Sequence, residues 1–532
     1  MQSVNAAARE FDAVIVGAGF AGMYMLHRLR GLGLSVRVIE AASDVGGTWY
    51  WNRYPGARCD VQSMEYCYQF SPELLQAWNW TERFAGQPEI LAYARHVAER
   101  FDLRRDIDFD TRVESAHYDA AGRCWRIRTA AGGTIAARWC VMATGCLSAT
   151  NTPEFPGLED YSGARYHTGD WPHTPVDFTG LRVGVIGTGS SGIQAIPIIA
   201  EQARHLYVFQ RSPNYSVPAR NRPLGQAEMD AIKADYPGFL ASLRNMTYDG
   251  GNGNFGARAD AGARRRVFDD QWARGSTRYL AAYDDLLIDP GVNESAAEYI
   301  RERIRETVRD PAVAALLCPD DVVGCKRICA DTDYYTTFNR DNVTLVDVRA
   351  APIETFTPAG IRTAAAEYPL DCVVFATGFD AMTGALLRMD IRGRDGLRLA
   401  DEWAGGPRTY LGIGLAGFPN LFVITGPGSP SVWANVLNAI EQHVDWITGL
   451  LAHARAQGCG TVEASRQAQD AWVAHVNEVA EATLLVTCNS WYLGSNIPGK
   501  PRVFMPYLGV DNYNRRCAQI AAQGYAGFEL SP

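Results

Sequence analysis

The pattern Gly17-x-Gly19-x-x-Gly22 directly follows an apolar run, Phe11 to Val16, and directly precedes a stretch with helical spacing from Met23 to Arg30. It recurs as Gly187-x-Gly189-x-x-Gly192, between the run Leu181 to Ile186 and a helical stretch from Ile193 to Ala203. Strand, glycine turn and helix in this order form the opening of a dinucleotide-binding unit. The first glycine makes the tight turn, the second lets a pyrophosphate approach the backbone, and the third lets the helix pack on the strand. The helix N-terminus then faces the phosphates. One such turn is weak evidence, because glycines recur by chance. Two turns, each in the required context, predict an α/β chain with two Rossmann-like domains that holds two dinucleotides.

At 532 residues the chain exceeds one ordinary core, so two or three domains are expected. Its 47% hydrophobic and 20% charged content are those of a globular protein, and a net charge of −9 gives no general basic field for nucleic acid or an anionic membrane. The twelve cysteines are dispersed, without a CxxC pair or a Cys/His cluster at zinc spacing, so no metal site is expected. Cys59, Cys67, Cys140 and Cys372 stand in apolar or aromatic surroundings and read as buried reduced thiols. Residues 1–10 hold no apolar signal core and no long apolar run follows, so a cytoplasmic location without membrane contact is expected. Thirteen Trp and 24 Tyr suit stacking on large planar cofactors.

The pattern along the chain suggests nested domains. The first unit returns as a strand at Val36 to Ile39, ending at Glu40, and adds a buried-type strand from Trp139 to Thr144. The second returns at Leu206 to Phe209. Residues 222–329 are charged, helical and poor in strand signals, with a loose break at Gly251 to Gly256. Cys372 to Gly378 then mirrors Val141 to Gly145, each ending Ala-Thr-Gly, and an amphipathic helix runs from about Val436 to Ala454. The boundaries expected are 1–146 and 381–532 for one nucleotide domain, 147–220 and 330–380 for the other, and 221–329 for a helical insertion in the second. Glu40 can accept hydrogen bonds from ribose hydroxyls, which suits FAD. The second unit instead reaches Gln210-Arg211-Ser212, where Arg211 would pair with a 2′-phosphate, so NADPH is expected there.

Between the two units lies Tyr161-x-Gly163-x-x-x-His167-x-x-x-Trp171-Pro172, and after the first turn lies Gly47-x-Trp49-x-x-x-x-Tyr54-Pro55-Gly56-x-x-x-Asp60. These segments resemble the fingerprints of flavin-dependent Baeyer–Villiger monooxygenases, in particular the phenylacetone, steroid and cyclohexanone group. Tyr161 replaces the usual phenylalanine. With both glycine turns and both Ala-Thr-Gly segments, the resemblance covers nearly the whole chain. It implies NADPH- and O2-dependent conversion of cyclic, aryl or bulky ketones into esters or lactones through a flavin C4a-peroxide, with sulfoxidation as a side activity. The partners implied are a small-molecule ketone and O2, and the chain is expected as a monomer or weak homo-oligomer.

The resemblance also assigns residues. Arg327 matches the arginine that stabilises negative charge near the flavin; its guanidinium has no proton to lose. Asp60 matches the carboxylate that orients it. Gly17, Gly19, Ala21, Gly22, Glu40, Thr48, Trp49, Tyr50, Trp51, Asp60, Tyr66, Val113 and Val436 would line the FAD. Arg58, Cys59, Thr188, Gly189, Ser190, Ser191, Gly192, Ile193, Gln194, Arg211, Ser212, Lys326, Arg327 and Trp491 would contact NADP. His167 reads as a hydrogen-bonded hinge between nucleotide domains rather than an acid or base. The loop Gly426 to Asn435 corresponds to a wall of the substrate pocket; whether Trp433 narrows it stays open.

Three other readings compete. A flavin N- or S-monooxygenase would use a neutral hydroperoxide and lack the Trp171-Pro172 ending. A pyridine-nucleotide disulfide reductase would need a redox cysteine pair after the first glycine turn, and none occurs. A flavin-binding sensor would have no need of Asp60, Lys326, Arg327 and Trp491 together.

Overall fold

The computed structural model describes residues 9–244 and 253–532, so part of the break expected at Gly251 to Gly256 lies outside the described residues. Arg9–Val16 form strand β1, Phe20–Gly31 helix α1 and Val36–Ile39 strand β2. Ala13, Val14 and Ile15 are fully buried, as a parallel strand covered on both faces requires. β1 pairs in parallel with β2 on one side and with Thr134–Met142 on the other, which sets Val14 opposite Arg37 and Cys140. The sheet runs in the order Asp390–Arg392, Val113–Asp119, Cys124–Thr129, Thr134–Met142, β1, β2, Ile107–Asp108, and Leu421–Val423 also pairs with Thr134–Met142. Segments from before and after the second glycine turn therefore build one sheet.

Arg182–Ile186 form β3, Ser190–Gln202 helix α2 and His205–Gln210 β4. They belong to a five-stranded parallel sheet in the order Val343–Asp347, β4, β3, Cys372–Phe375, Ala164–His167. The two units share one steric device. Gly17 has φ +105° and a Cβ there would stand 2.6 Å from the Ala143 carbonyl oxygen; Gly187 has φ +108° and its Cβ would stand 2.4 Å from that of Ala376. Each first glycine is thus pressed by the carbonyl of the strand that ends Ala-Thr-Gly, which is why those segments mirror each other. A Cβ at the third glycine, Gly22 or Gly192, would lie 1.8 or 2.3 Å from the carbonyl oxygen of the first. Backbone contact that close admits no side chain.

Ser216–Pro218 and Cys329–Asp331 form a two-stranded parallel ladder. Between them lie helices that include Gln226–Ala234, Ala261–Arg274, Pro290–Thr307 and Pro311–Leu317. Asp260, Asp289 and Asp310 cap the last three, each carboxylate accepting from first-turn N–H groups, and proline opens the last two. The long helix α3, Val436–Ala456, packs on α1 and begins at Asn435, whose side chain accepts from Leu437 N and donates to the Glu65 carbonyl. Leu437, Val444, Ile447, Leu450 and Leu451 of α3 are completely buried. Each such burial contributes about 1.5–3 kcal/mol.

Cys59, Cys67, Cys140 and Cys372 are free and buried. Cys325 and Cys488, 163 residues apart, are paired as a disulfide with Cα atoms 5.6 Å apart. No short spacing announces a pair that only the fold brings together. Among the described residues no helix is long and apolar enough to cross a membrane.

Candidate active site between two glycine turns

Arg327 and Asp60 meet although 267 residues separate them. Arg327 Nε donates to Asp60 Oδ2 at 2.9 Å, Nη2 donates to Oδ1 at 2.8 Å, and Nη1 donates to the Val432 carbonyl at 2.6 Å. The two-pronged fork fixes the guanidinium plane as well as its place. Both side chains are mostly enclosed, 29% and 20% exposed. Arg327 enters from the segment that starts strand Cys329–Asp331, and Asn214 Nδ2 holds its carbonyl at 3.1 Å. Asp60 follows Cys59, whose N–H donates to the Ala85 carbonyl at 3.1 Å. Burial drives the Cys59 thiol far up, so it stays protonated beside this charge.

On the first-turn side, Glu40 is buried and accepts from Ala18 N at 2.5 Å and Ala42 N at 2.7 Å. Its carboxylate thereby clasps the glycine turn; burial raises its pKa and the N–H bonds oppose that. Ala21 lies buried in α1, and Gly19 faces Gly47, with a Cβ on Gly19 coming 3.4 Å from Gly47 Cα. Thr48 opens the single helical turn Thr48–Trp51. Trp49 Nε1 donates to Tyr66 Oη at 3.1 Å, Tyr50 Oη meets Ser43 Oγ at 2.6 Å, and the Trp51 carbonyl accepts from Trp171 N at 3.2 Å. Val113 starts its strand on the sheet's outer part and Val436 is the first residue of α3.

On the second-turn side, a Cβ at Gly189 would meet nothing within 4 Å, so open space lies over this bare backbone. Thr188 Oγ1 donates to the Ser212 carbonyl at 3.1 Å, Ser190 Oγ lies 3.2 Å from Cys329 Sγ, and Ser191 Oγ lies 3.0 Å from Thr168 Oγ1. Gly192 and Ile193 are buried in α2, and Arg211 is exposed just past β4. Lys326 Nζ pairs with Asp321 at 2.7 Å. Trp491 sits on the turn Trp491–Leu493, its ring 4.3 Å from that of Tyr492. The Arg58 guanidinium is held by the Glu82 carboxylate and the Phe84 carbonyl, and its backbone N–H and carbonyl meet the Gln194 amide in α2.

His167 ends strand Ala164–His167, and its Nδ1 accepts from Gly169 N at 2.9 Å. Its Nε2 lies 3.4 Å from the Asn151 carbonyl and from Thr377 Oγ1, and burial lowers its pKa, so the ring is a neutral, hydrogen-bonded element. Trp433 is buried, its ring 5.4 Å from that of Tyr492 and tilted 43° to it. Residue patterns alone did not single out Asn214, Tyr54 or the Val432 carbonyl. Tyr54 stood inside a quoted motif, which was the available signal.

Residues 14–231 match a family profile described as pyridine nucleotide-disulphide oxidoreductase, a span that holds both glycine turns. A Baeyer-Villiger monooxygenase of Pseudooceanicola batsensis is 43% identical over 97% of this chain and 95% of its own length. A phenazine N-monooxygenase of Lysobacter antibioticus is 40% identical over 98% and 97%. The solved structure of an oxidised steroid monooxygenase bound to NADP superposes with a TM-score of 0.93 at 52% identity, covering 98% of this chain and 99% of that one. Full-length similarity of this kind, together with the paired turns and the Asp60–Arg327 fork, shows that the chain belongs to the Baeyer–Villiger monooxygenase family.

Proposed function

We propose that this protein oxidises ketones to esters or lactones with NADPH and O2, using FAD on the first glycine turn and NADP(H) on the second. The observation that carries the reading is the Asp60–Arg327 fork with its third N–H on the Val432 carbonyl, which fixes a permanent, mostly enclosed cation. The residues present fit both nucleotides. Bare backbone at Gly19 and Gly47, with Glu40 at the end of β2, suits the FAD pyrophosphate and ribose; open space over Gly189 and the first-turn N–H groups of α2 suit that of NADP. We assign the domains as 1–146 with 381–532 for FAD, 147–220 with 330–380 for NADP, and 221–329 as the insertion. The protein works as a monomer or weak homo-oligomer in the cytoplasm.

FAD held on the first turn would supply the activation of oxygen, with NADPH as its reductant. The chain supplies position and charge. Arg327 stabilises negative charge that develops on the substrate carbonyl oxygen, in a place sheltered enough for a fixed charge to count. Asp60 holds the plane of the fork and moderates its charge. Arg211 and Lys326 hold the 2′-phosphate, Lys326 leaving Asp321 to do so. Trp491, on its short turn, would help hold the nucleotide and exclude water. The loop around Val432 and Trp433 walls the ketone site, which places substrate next to Arg327.

The likeness to a phenazine N-monooxygenase favours nitrogen oxidation as the second reading. One experiment separates them: supply FAD and NADPH, then offer a ketone panel beside aromatic amines and sulfides and identify the products. Ester or lactone from the ketones supports the first reading. Unchanged ketones with N-oxide formed from the amines replaces it with the second.

A further inference from the structure

Gln194 lies in the early part of α2, two residues past the third glycine of its turn, where a nucleotide contact was expected. Its side-chain amide is instead spent on the other nucleotide unit. Oε1 accepts from Tyr54 Oη at 2.8 Å and from Arg58 N at 3.2 Å, while Nε2 donates to the Arg58 carbonyl at 3.0 Å. One amide thus satisfies both backbone groups of a single residue, much as a neighbouring strand would. Near neutral pH, where carboxyls are ionised, only the amide of Gln or Asn offers a donor and an acceptor side by side.

A second observation shows the same approach. Gly56 has φ +78°, and a Cβ there would stand 2.4 Å from the Gln194 carbonyl oxygen and 3.1 Å from Ile198 Cγ1. The segment around residues 54–58 therefore lies against the backbone of α2 with no room for a side chain. On its far side the same segment is tied to its own unit: Gln87 N donates to the Ala57 carbonyl at 2.9 Å, and Cys59 N to the Ala85 carbonyl at 3.1 Å. Asp60, with its fork to Arg327, comes next in the chain.

We propose that Gln194 is a positioning residue, which couples the place of α2, and hence of the second dinucleotide, to the Asp60–Arg327 fork. The assignment rests on the two-nucleotide reading above, and it revises the role of Gln194 within it. A shift of α2 is passed through the amide to Arg58 and so to Asp60. Hydride transfer from the nicotinamide to the flavin requires both units in register, and misplacement by about 1 Å can cost ~10²-fold in rate. Gln194 touches neither reacting atom; it acts through Arg58.

The test uses the FAD-loaded protein and rapid mixing with NADPH without oxygen, which reads flavin bleaching and needs no ketone. Gln194→Met keeps length and removes all three hydrogen bonds. The expected result is a saturating reduction rate ~10- to 100-fold below the parent, with the NADPH dissociation constant unchanged. Gln194→Glu adds a readout that a merely structural role would not move. A protonated carboxyl can again donate to the Arg58 carbonyl, so its rate relative to the parent should recover as pH falls from about 7 toward about 4–5, the ordinary glutamate range. Where Gln194→Met does not fold, Tyr54→Phe removes one of the three bonds and should give an intermediate loss. A weakened NADPH dissociation constant with the parental rate at saturation overturns the proposal, because Gln194 would then be a nucleotide contact alone. Failure of the parent to make ester would overturn the ketone reading and leave this flavin-reduction measurement intact.

Discussion

Replacing Arg327 with alanine removes three hydrogen bonds together: two to Asp60 at 2.9 and 2.8 Å and one to the Val432 carbonyl at 2.6 Å. Loss of one preorganised donor at a site of developing negative charge costs about 10²–10³ in rate, or about 2.7–4 kcal/mol of barrier. Ester formation should fall at least that far. The cost in stability is smaller. Asp60 is 20% exposed, between the fully buried case, where an orphaned partner costs about 3–5 kcal/mol, and the surface case of about 0–1 kcal/mol, so roughly 1–2 kcal/mol is expected. Arg327→Lys keeps the charge but loses the planar fork, and should fall between the parent and alanine. The assay follows ester by chromatography while NADPH consumption and hydrogen peroxide are read in parallel. Loss of ester with peroxide accumulating fits the reasoning. Ester formation by Arg327→Ala at a near-parental rate would refute it.

The double variant Arg211→Ala, Lys326→Ala should weaken NADPH binding on the order of 10²- to 10⁴-fold while leaving NADH unaffected, since charge-assisted hydrogen bonds contribute about 1.5–3 kcal/mol each; equal losses for both nucleotides in equilibrium titrations would remove the 2′-phosphate role. Glu441 in α3 gives a pH signature. Burial, with Asp445 nearby, pushes its carboxyl from 4.5 up to about 7 while it accepts from Gln69 N at 2.8 Å and Phe70 N at 2.9 Å. The folded protein therefore keeps a proton that the unfolded chain releases, so this contribution to stability is full below pH 4.5 and is lost as pH rises through about 7, to a limit of roughly 3 kcal/mol. Glu441→Gln keeps the acceptor without the charge. Its melting temperature should gain on the parent between about pH 5 and 8, and a difference constant with pH would contradict the assignment.

Some of this was legible in the residues because short-range sterics leave marks. Gly17 and Gly187 must be glycine, since the carbonyls of Ala143 and Ala376 press on them, and the same contact explains the repeated Ala-Thr-Gly. Apolar runs such as Ala13 to Ile15 likewise announce strands buried on both faces. The site was less legible. The Asp60–Arg327 fork spans 267 residues, and no spacing rule joins its halves; resemblance to a family supplied the pairing. Arg58 illustrates the limit. Its position followed the motif, but the partners of its long side chain, the Glu82 carboxylate and the Phe84 carbonyl, are set by tertiary neighbours. The amide of Gln194, the carbonyl of Val432 and the pair Cys325–Cys488 belong to the same class, common groups given meaning only by what the fold sets against them.

The central claim is that oxygen from O2 ends in the ketone-derived product. The direct measurement is turnover of the FAD-loaded protein with NADPH and a ketone under ¹⁸O-labelled oxygen, with the products analysed by mass spectrometry. The expected result is an ester or lactone carrying a single ¹⁸O, formed in step with NADPH consumed. Ketone recovered unchanged across the panel, with the label in hydrogen peroxide alone, would contradict it.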